Sequence, residues 1–218
     1  MRQVVQPAIA GYLEGLHPAV DALLETIRAE GLAAGLPLVE ADTARLLRGL
    51  VLATHATKVL EIGTAIGYSA LWMAQALPHE GMLISMEMDT ARAAAARANI
   101  ARAGLSDRVN VIVGDATRFL HKVAGPFDVI FQDGDKRLYT PMLDALIGHL
   151  RPGGVLVSDN VLWDGEVIEG FVDPPRRDAA SALALREYNR RLAAEPRLLT
   201  TFLPMGDGVA LSVKLGEA

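Results

Sequence analysis

Residues 59–69 read VLEIGTAIGYS, an apolar run that passes into a glycine turn and then into a helical pattern. Gly63 permits a sharp turn there, and its missing side chain lets a ligand approach the backbone. The next helix is predicted to begin near Gly67, where free backbone N–H groups can bind an anionic or polar group. The spacing is G-x-x-x-G, so the turn is neither the G-x-G-x-x-G of dinucleotide sites nor a P-loop. A ligand site and a simple packing turn both stay open at this point.

Strand-like and helix-like segments alternate outward from this turn. Five strands are predicted, at Lys58–Ile62, Met82–Met86, Val109–Val113, Phe127–Gln132 and Val155–Ser158. Helical patterns lie between them, at Tyr68–Leu77, Thr90–Ala103, Ala116–Val123 and Tyr139–Leu150. This rhythm predicts an α/β fold, in which a parallel sheet with right-handed crossovers carries helices on both faces.

The two ends of the chain depart from the alternation. Residues 8–54 contain helical patterns alone, with Pro18 placed to start one helix and Ala41–Ala53 forming an amphipathic one. Near the C-terminus, Asp173-Pro174-Pro175 breaks the chain before a charged helix at 177–194. The last two apolar runs, Leu198–Leu203 and Val209–Val213, are joined by a five-residue link, which predicts an antiparallel hairpin. We expect one domain over residues 1–218, with an N-terminal helical extension (1–57) and a core (58–218).

Composition narrows the class of protein. At 218 residues and 51% hydrophobic, the chain is long enough to bury one α/β core. A net charge of −5 gives no general field that attracts nucleic acid or an anionic membrane. The absence of cysteine excludes disulfides and thiolate chemistry. No apolar run approaches the roughly 20 residues that span a bilayer, and the N-terminus lacks a signal peptide's apolar core. We therefore expect a soluble cytoplasmic protein.

Oxygen-bearing side chains follow two of the predicted strands. FDVIFQDGDK (127–136) ends its strand at Asp133, and GGVLVSDNVLW (153–163) ends its strand at Asp159 and Asn160. Ligands of open α/β sheets bind at this carboxyl edge. Three hard oxygen ligands suit a hydrated Mg²⁺ whose shell a substrate completes. The alternative is structural, with Asp133 capping a turn and Asp159-Asn160 forming an Asx turn.

Two further acids follow predicted strands. Glu87 follows the second strand, where an acidic residue accepts hydrogen bonds from both ribose hydroxyls of a nucleoside. Its alternative is a solvated strand-end carboxylate. Asp115 precedes a helical pattern, so it caps that helix, faces a bound adenine, or does both.

Taken together, these motifs resemble the S-adenosylmethionine-dependent methyltransferases of the Rossmann-like class. The matching features are E-I-G-x-x-x-G-Y-S, the position of Glu87, the Gly114-Asp115-Ala116 step and seven strands ending in a hairpin. Three longer stretches narrow the resemblance, namely F-x-D-G-D-K-x-x-Y, G-G-V-L-V-S-D-N-V-L-W-D-G and L-P-M-G-D-G-V-A-L. They look like the cation-dependent O-methyltransferase family, which includes caffeoyl-CoA O-methyltransferase and, more distantly, catechol O-methyltransferase. The resemblance covers about residues 36–214. It implies a class I methyltransferase fold with a seven-stranded, mostly parallel sheet and an antiparallel C-terminal hairpin.

The resemblance also implies ligands and residue roles. S-adenosyl-L-methionine would be the cofactor, with a divalent cation that is Mg²⁺ or, alternatively, Ca²⁺ or Mn²⁺. The family's metal ligands fall on Asp133, Asp159 and Asn160, and its catalytic residues on Lys136 and Asp133. Its cofactor contacts fall on Glu61, Gly63, Ser69, Glu87, Asp115, Ala116 and Asp133. One departure lies at Leu36–Val39, where plant members carry a Met-Thr-Thr type stretch, so no cofactor contact is carried over there.

The implied activity is methyl transfer to a hydroxyl of a small catechol-like or hydroxylated aromatic acceptor. Such a hydroxyl has a pKa near 10 and is little ionised at neutral pH. A bound cation would lower that pKa, and Lys136, with a pKa depressed by desolvation, would take the proton. Two alternatives stay open: methylation of a hydroxylated uridine in tRNA, and a non-catalytic nucleoside-binding protein.

An arginine cluster bears on the tRNA alternative. It comprises Arg176, Arg177, Arg186, Arg190, Arg191 and Arg197, and it reads either as a solvated face with partner acids or as a patch for an anionic substrate. A homodimer is expected, because related enzymes commonly pair and the apolar N-terminal helices offer surface to bury.

Overall fold

Seven strands form one sheet in the computed structural model, which describes residues 6–171 and 177–216. They are β1 (Lys58–Ile62), β2 (Met82–Glu87), β3 (Val109–Val113), β4 (Phe127–Gln132), β5 (Leu150–Asp159), β6 (Leu198–Leu203) and β7 (Val209–Lys214). Their order across the sheet is β3-β2-β1-β4-β5-β7-β6. Strands β1 to β5 pair in parallel, whereas β7 is antiparallel to both β5 and β6. The mostly parallel sheet with a C-terminal hairpin is therefore confirmed.

Helices cover both faces of this sheet. They are α1 (Pro7–Leu16), α2 (Ala22–Ala33), α3 (Ala41–Ala53), α4 (Tyr68–Ala74), α5 (Thr90–Arg102), α6 (Ala116–Phe119), α7 (Tyr139–His149) and α8 (Ala179–Ala194), with 3-10 turns at Leu120–Lys122, Lys136–Leu138 and Trp163–Gly165. Val59 and Val129 belong to the core cluster that contains buried residues of α2 to α5. Their neighbours Leu60 and Ile130 belong to a second cluster with α7 and α8. Because successive strand residues point to opposite faces, both faces of the sheet are apolar.

Some predicted boundaries differ from the structure. Strand β5 begins at Leu150 rather than Val155, and its register with β4 shifts between Phe127 and Val129. The added part contains Pro152 and two glycines, residues that interrupt the pattern of a core strand while the backbone stays extended. Helices α4 and α6 are shorter than predicted, and a 3-10 turn takes over after α6.

The prediction that Pro18 starts a helix was wrong. Helix α2 begins at Ala22, and Asp21 is its N-cap, with a side chain that accepts a hydrogen bond from the Leu23 N–H at 2.8 Å. An aspartate satisfies one of the free N–H groups of a first turn, which a proline cannot do. The predicted chain break at residues 173–175 lies outside the described residues. Among the described helices, none combines the length and the apolarity needed to cross a membrane.

Candidate active site

A cavity of about 610 Å³ opens at the carboxyl edge of the sheet, beyond the ends of β1, β2, β4 and β5. Most of the predicted site residues line it, namely Gly63, Glu87, Asp115, Ala116, Asp133, Lys136, Asp159 and Asn160. Two predicted residues, Glu61 and Ser69, are not part of its wall. The sheet therefore brings together side chains that are up to 97 positions apart in the chain, from Gly63 to Asn160 (160 − 63).

The glycine turn after β1 lies at the centre of this edge. The N–H of Gly63 donates to the carbonyl of Met86 at 2.9 Å, and the N–H of Asp133 donates to the carbonyl of Ile62 at 2.8 Å. Gly63 has a φ of 97°, and a Cβ there would lie 2.5 Å from the carbonyl oxygen of Asp133. A side chain at position 63 is therefore unfavourable for two reasons: the left-handed backbone conformation and the close approach of Asp133, the residue that follows β4.

Glu87, the last residue of β2, holds the turn as well as facing the cavity. Its Oε2 accepts from the N–H of Ala65 at 2.8 Å, and its Oε1 accepts from the N–H of Asp89 at 2.9 Å. Ala65 has a φ of 46°, in the left-handed region, so this contact stabilises an unusual backbone conformation. A carboxylate has about four acceptor positions, so capacity remains for hydroxyl donors of a ligand.

Asp115 performs the capping role predicted for it. It is the N-cap of α6, and its Oδ1 accepts from the Thr117 N–H at 2.9 Å and from the Thr117 hydroxyl at 2.7 Å. It also lines the cavity beside Ala116. Its predicted contact with a bound adenine stays a prediction.

A buried hydrogen-bonded network lies behind the turn. Glu61 is fully buried, and its two oxygens accept from the hydroxyls of Ser69 and Ser85, each at 2.5 Å. Ser85 also contacts the hydroxyl of Thr64, which lies in the turn itself. Burial raises the pKa of Glu61 to about 7, against the two serine hydrogen bonds, and the charges of Asp133 and Glu87 add to the rise. We refer to Glu61, Thr64, Ser69 and Ser85 as the inner network.

Sequence reasoning missed Thr64 and Ser85. The available signal was a serine inside the apolar strand MLISME, because a buried polar side chain requires a partner. A buried glutamate in the neighbouring strand is such a partner, and Glu61 pairs with Ser85 in the sheet register.

The acids predicted as metal ligands lie together in the cavity wall. Asp159 is the last residue of β5 and is 3% exposed. Burial raises its pKa to about 8, and the nearby charge of Asp133 contributes, whereas Lys136 opposes the rise. Asp159 accepts a hydrogen bond from the N–H of Asn160 at 2.8 Å, and Asn160 has a φ of 58°. Two mutually repelling carboxylates thus face one cavity.

These residues fit a divalent cation. Carboxylate and amide oxygens are the ligands that Mg²⁺ and Ca²⁺ prefer, and a cation would relieve the repulsion between Asp133 and Asp159. Within residues 6–171 and 177–216 there is no group of three or more His, Cys, Asp or Glu residues suited to a metal. Protein ligands beyond the two carboxylates would therefore include the amide oxygen of Asn160.

Lys136 lies between the acids and a buried tyrosine. It opens the 3-10 turn after β4 and is only 7% exposed. Its Nζ donates to Oδ1 of Asp133 at 2.6 Å and to the hydroxyl of Tyr139 at 2.9 Å. The pattern D-x-x-K brings these groups together because Asp133 directly follows β4 and the next turn folds back over it.

The cavity wall also contains Trp163, Arg177 and Asp207, of which only Arg177 was named from the sequence, as a member of the arginine cluster. The guanidinium of Arg177 lies 3.5 Å from the ring centroid of Trp163, a cation–π contact. Arg177 also pairs with Asp207 and lies 3.6 Å from Asp164. Asp207 comes from the link between β6 and β7, so the hairpin supplies part of this wall.

The arginine cluster is largely engaged with acids and carbonyls. Arg191 and Arg197 pair with Asp144, and Arg197 also bonds Glu195. Arg186 donates to the carbonyls of Val167 and Glu166, and Arg190 lies 3.9 Å from Glu187. Arg176 lies outside the described residues. The described members therefore form a face of ion pairs and not an open cationic patch.

Comparison with known proteins agrees with this architecture. The family model for O-methyltransferases matches residues 17–215. A catechol O-methyltransferase of Niastella koreensis is 38% identical over 191 residues, covering 83% of this chain and 84% of the relative. A catechol O-methyltransferase of Mycobacterium tuberculosis is 34% identical over 215 residues, covering 95% of each chain. The crystal structure of the O-methyltransferase from Bacillus cereus in complex with SAH has a TM-score of 0.83 at 33% identity, covering 95% of this chain and 97% of that one.

The sheet order and the structural neighbours define a Rossmann-like methyltransferase. The chain belongs to the O-methyltransferase family, and it is an S-adenosylmethionine-dependent enzyme.

Proposed function

We propose that this enzyme methylates a hydroxyl of a small catechol-like or hydroxylated aromatic acceptor, with a divalent cation beside the acceptor. The observation that carries the proposal is the position of Asp133. Its backbone packs against the Gly63 turn, while its carboxylate contacts Lys136 and repels Asp159. One residue thus joins the glycine turn to an acid–lysine cluster within the same cavity.

On one side, the residues suit the methyl donor. Glu87 would present its carboxylate to the ribose hydroxyls, and Asp115 and Ala116, which line the same cavity, would contact the adenine. Gly63 lines the same cavity, where the amino-acid end of the donor would lie. S-adenosyl-L-methionine supplies a methyl group on a sulfonium, which is activated for displacement by an oxygen nucleophile.

On the other side, the residues suit activation of a hydroxyl. Asp133, Asp159 and Asn160 would hold a divalent cation, which supplies positive charge that lowers the pKa of a neighbouring hydroxyl. The Nζ of Lys136 is placed to take the hydroxyl proton, and the resulting charge would be balanced by Asp133 beside it. The acceptor oxygen forms the new O–C bond as the C–S bond of the donor breaks, and the sulfur keeps the electron pair. Holding the two reacting atoms in one cavity supplies much of the acceleration.

The names of two relatives, both catechol O-methyltransferases, support an ortho-dihydroxy aromatic as the acceptor. Two oxygens on adjacent carbons can both approach one cation. Apolar side chains of the wall, Leu138, Met142 and Trp163, suit an aromatic ring.

A labelled-methyl transfer screen tests the proposal. Catechols, monophenols, hydroxycinnamoyl thioesters and bulk tRNA are offered as acceptors, with and without a chelator. We expect transfer to catechols and a loss of about 100-fold or more with chelator or in Asp159→Asn. The exposed control Asp107→Asn should retain full activity. Full activity with chelator and in Asp159→Asn would refute the metal, and transfer to tRNA alone would refute the acceptor class.

No observation favours the two alternatives. The tRNA alternative loses its main support because the described arginines of the cluster are engaged in ion pairs or carbonyl contacts. A non-catalytic nucleoside-binding protein is disfavoured by family membership and by the contact between Lys136 and Asp133.

We also propose that the chain forms a homodimer through its N-terminal region. Helix α1 exposes Ile9, Tyr12, Leu13 and Leu16, each at least 39% exposed, along one side. Apolar residues at this helical spacing suit burial against a second copy. Size-exclusion chromatography with light scattering tests this, and a monomer at micromolar concentration would refute it. The single-domain organisation over residues 1–218 and the cytoplasmic location stay predictions.

A further inference from the structure

We propose that Tyr139 is a positioning residue that fixes the Nζ of Lys136 beside the acceptor hydroxyl. This inference rests on the proposed function, because it gives a task to Lys136 in methyl transfer. Tyr139 is the first residue of α7 and is fully buried. Three hydrogen bonds meet at its hydroxyl.

The first bond comes from Lys136, whose Nζ donates to the Tyr139 oxygen at 2.9 Å. The other two use the single proton of the phenol, which is shared between the carbonyls of Gln132 at 2.8 Å and Asp159 at 3.1 Å. These carbonyls belong to the last residues of β4 and β5. One buried hydroxyl therefore ties the lysine to the two strand ends that carry Asp133 and Asp159.

The direction of these bonds determines the role. The carbonyls of Gln132 and Asp159 have no proton to donate, so the phenol is the donor to both, and they occupy its single proton. Towards Lys136 the phenol can then only accept. It therefore holds one N–H of the lysine.

The tetrahedral geometry of Nζ gives the consequence. Besides its bond to the side chain, Nζ has three directions. Asp133 accepts an N–H along the first, with the oxygen 2.6 Å from Nζ, and Tyr139 accepts an N–H along the second. The third direction is left for the acceptor hydroxyl, and Lys136 lines the cavity. Without the phenol, Nζ would rotate about its last bond, and the third direction would no longer be fixed.

Tyr188 provides a matched control. It is a second fully buried tyrosine, and its ring packs edge-on against Tyr139 with centroids 5.1 Å apart. Its hydroxyl contacts the side chains of Ser158 at 2.6 Å and Gln132 at 3.1 Å, and Lys136 is not among its partners. Tyr139→Phe and Tyr188→Phe each remove one buried hydroxyl from the same cluster, but only Tyr139→Phe removes a hydrogen bond to Lys136.

The experiment is a double-mutant cycle with labelled methyl transfer to a catechol. We expect Tyr139→Phe to lower kcat about tenfold, which is roughly the contribution of one hydrogen bond, with KM for both substrates little changed. Tyr188→Phe should stay within about twofold of wild type. In a Lys136→Ala background, Tyr139→Phe should lower the residual rate no further, because its effect passes through the lysine.

Two outcomes would overturn the inference. One is an equal loss of kcat in Tyr139→Phe and Tyr188→Phe. The other is a Tyr139→Phe effect of the same size with and without Lys136, which is what a loss of packing would produce. The cycle stays informative if the variant is less stable, since the packing change is present in both backgrounds. A wild-type enzyme inactive on every catechol would instead refute the proposed function.

Discussion

The two halves of the cavity are built in different ways. The half that we propose for the donor (the donor half), around the Gly63 turn, is shaped by the inner network, whose polar groups bond one another behind the wall. The half that we propose for the acceptor (the acceptor half), around Lys136, holds opposite charges in direct contact. The difference indicates that the donor half depends on a turn held by hydrogen bonds, whereas the acceptor half depends on charges held close together.

The halves meet at one contact. The backbone of Gly63 touches the backbone of Asp133, and the Asp133 side chain begins the acceptor half. Variants within one half should therefore leave the other half working, and variants at the contact should damage both. The following predictions test this division.

The largest effect is expected in the acceptor half. Lys136→Met should lower kcat by about 10² to 10⁴-fold, because the proton acceptor is lost. The dissociation constant for S-adenosylhomocysteine should stay within about threefold of wild type, since that ligand belongs to the donor half. Initial rates and isothermal titration calorimetry measure the two quantities. The exposed Lys58→Met is the control, and a parallel loss of ligand binding in Lys136→Met would break the division.

The next largest effect is expected where the halves meet. Gly63→Ala should lower the free energy of unfolding by about 4 kcal/mol, from a left-handed backbone and from overlap with Asp133. Gly35 has a φ of 67° but no atom within 4 Å of an added Cβ, so Gly35→Ala should cost only about 1 kcal/mol. Urea denaturation measures both. Equal losses would mean that the contact with Asp133 contributes nothing.

A pH effect is expected from the inner network. The pKa of Glu61 is raised from 4.5 to about 7, so the folded state holds this proton more tightly than the unfolded chain. Stability from this group is full below pH 4.5, falls as pH rises, and levels off above about pH 7, a change of about 3 kcal/mol. Glu61→Gln lacks this titration. Between pH 4.5 and 7 the unfolding free energy of the wild type should therefore fall by that amount relative to that of Glu61→Gln. A difference between the two proteins that does not change with pH would contradict this prediction.

The smallest effect is expected on donor binding. Ser85→Ala removes the hydroxyl that joins Glu61 to Thr64, and it should weaken S-adenosylhomocysteine binding about three- to tenfold. At saturating donor, kcat should remain near the wild-type value. Ser212→Ala is the matched control. Ser212 lies on β7, is also fully buried, and forms a hydrogen bond with the hydroxyl of Thr200. A lower kcat in Ser85→Ala with unchanged binding would reverse the assignment of the inner network to the donor half.

The sequence by itself determined the fold and the identity of the strand ends. Alternating apolar segments with glycine turns were sufficient, because the strand period of two and the crossover rule leave few topologies. The same reasoning placed Gly63, Glu87, Asp133 and Asp159 at one edge, since the carboxyl ends of parallel strands meet there. It failed at Pro18, because helix starts depend on which side chain accepts the free N–H groups.

Only the tertiary structure decided which side chains contact one another across the sheet. Glu61 and Ser69 bond each other behind the wall, because neighbouring strands and the next helix close over them, and their predicted cofactor contacts stay predictions. Tyr139 and Arg177 likewise belong to the site through contacts between separate segments of the chain: Tyr139 bonds the carbonyl of Asp159, and Arg177 packs on the ring of Trp163. Local sequence carries period and propensity, whereas hydrogen-bond direction and burial arise only when distant segments pack together.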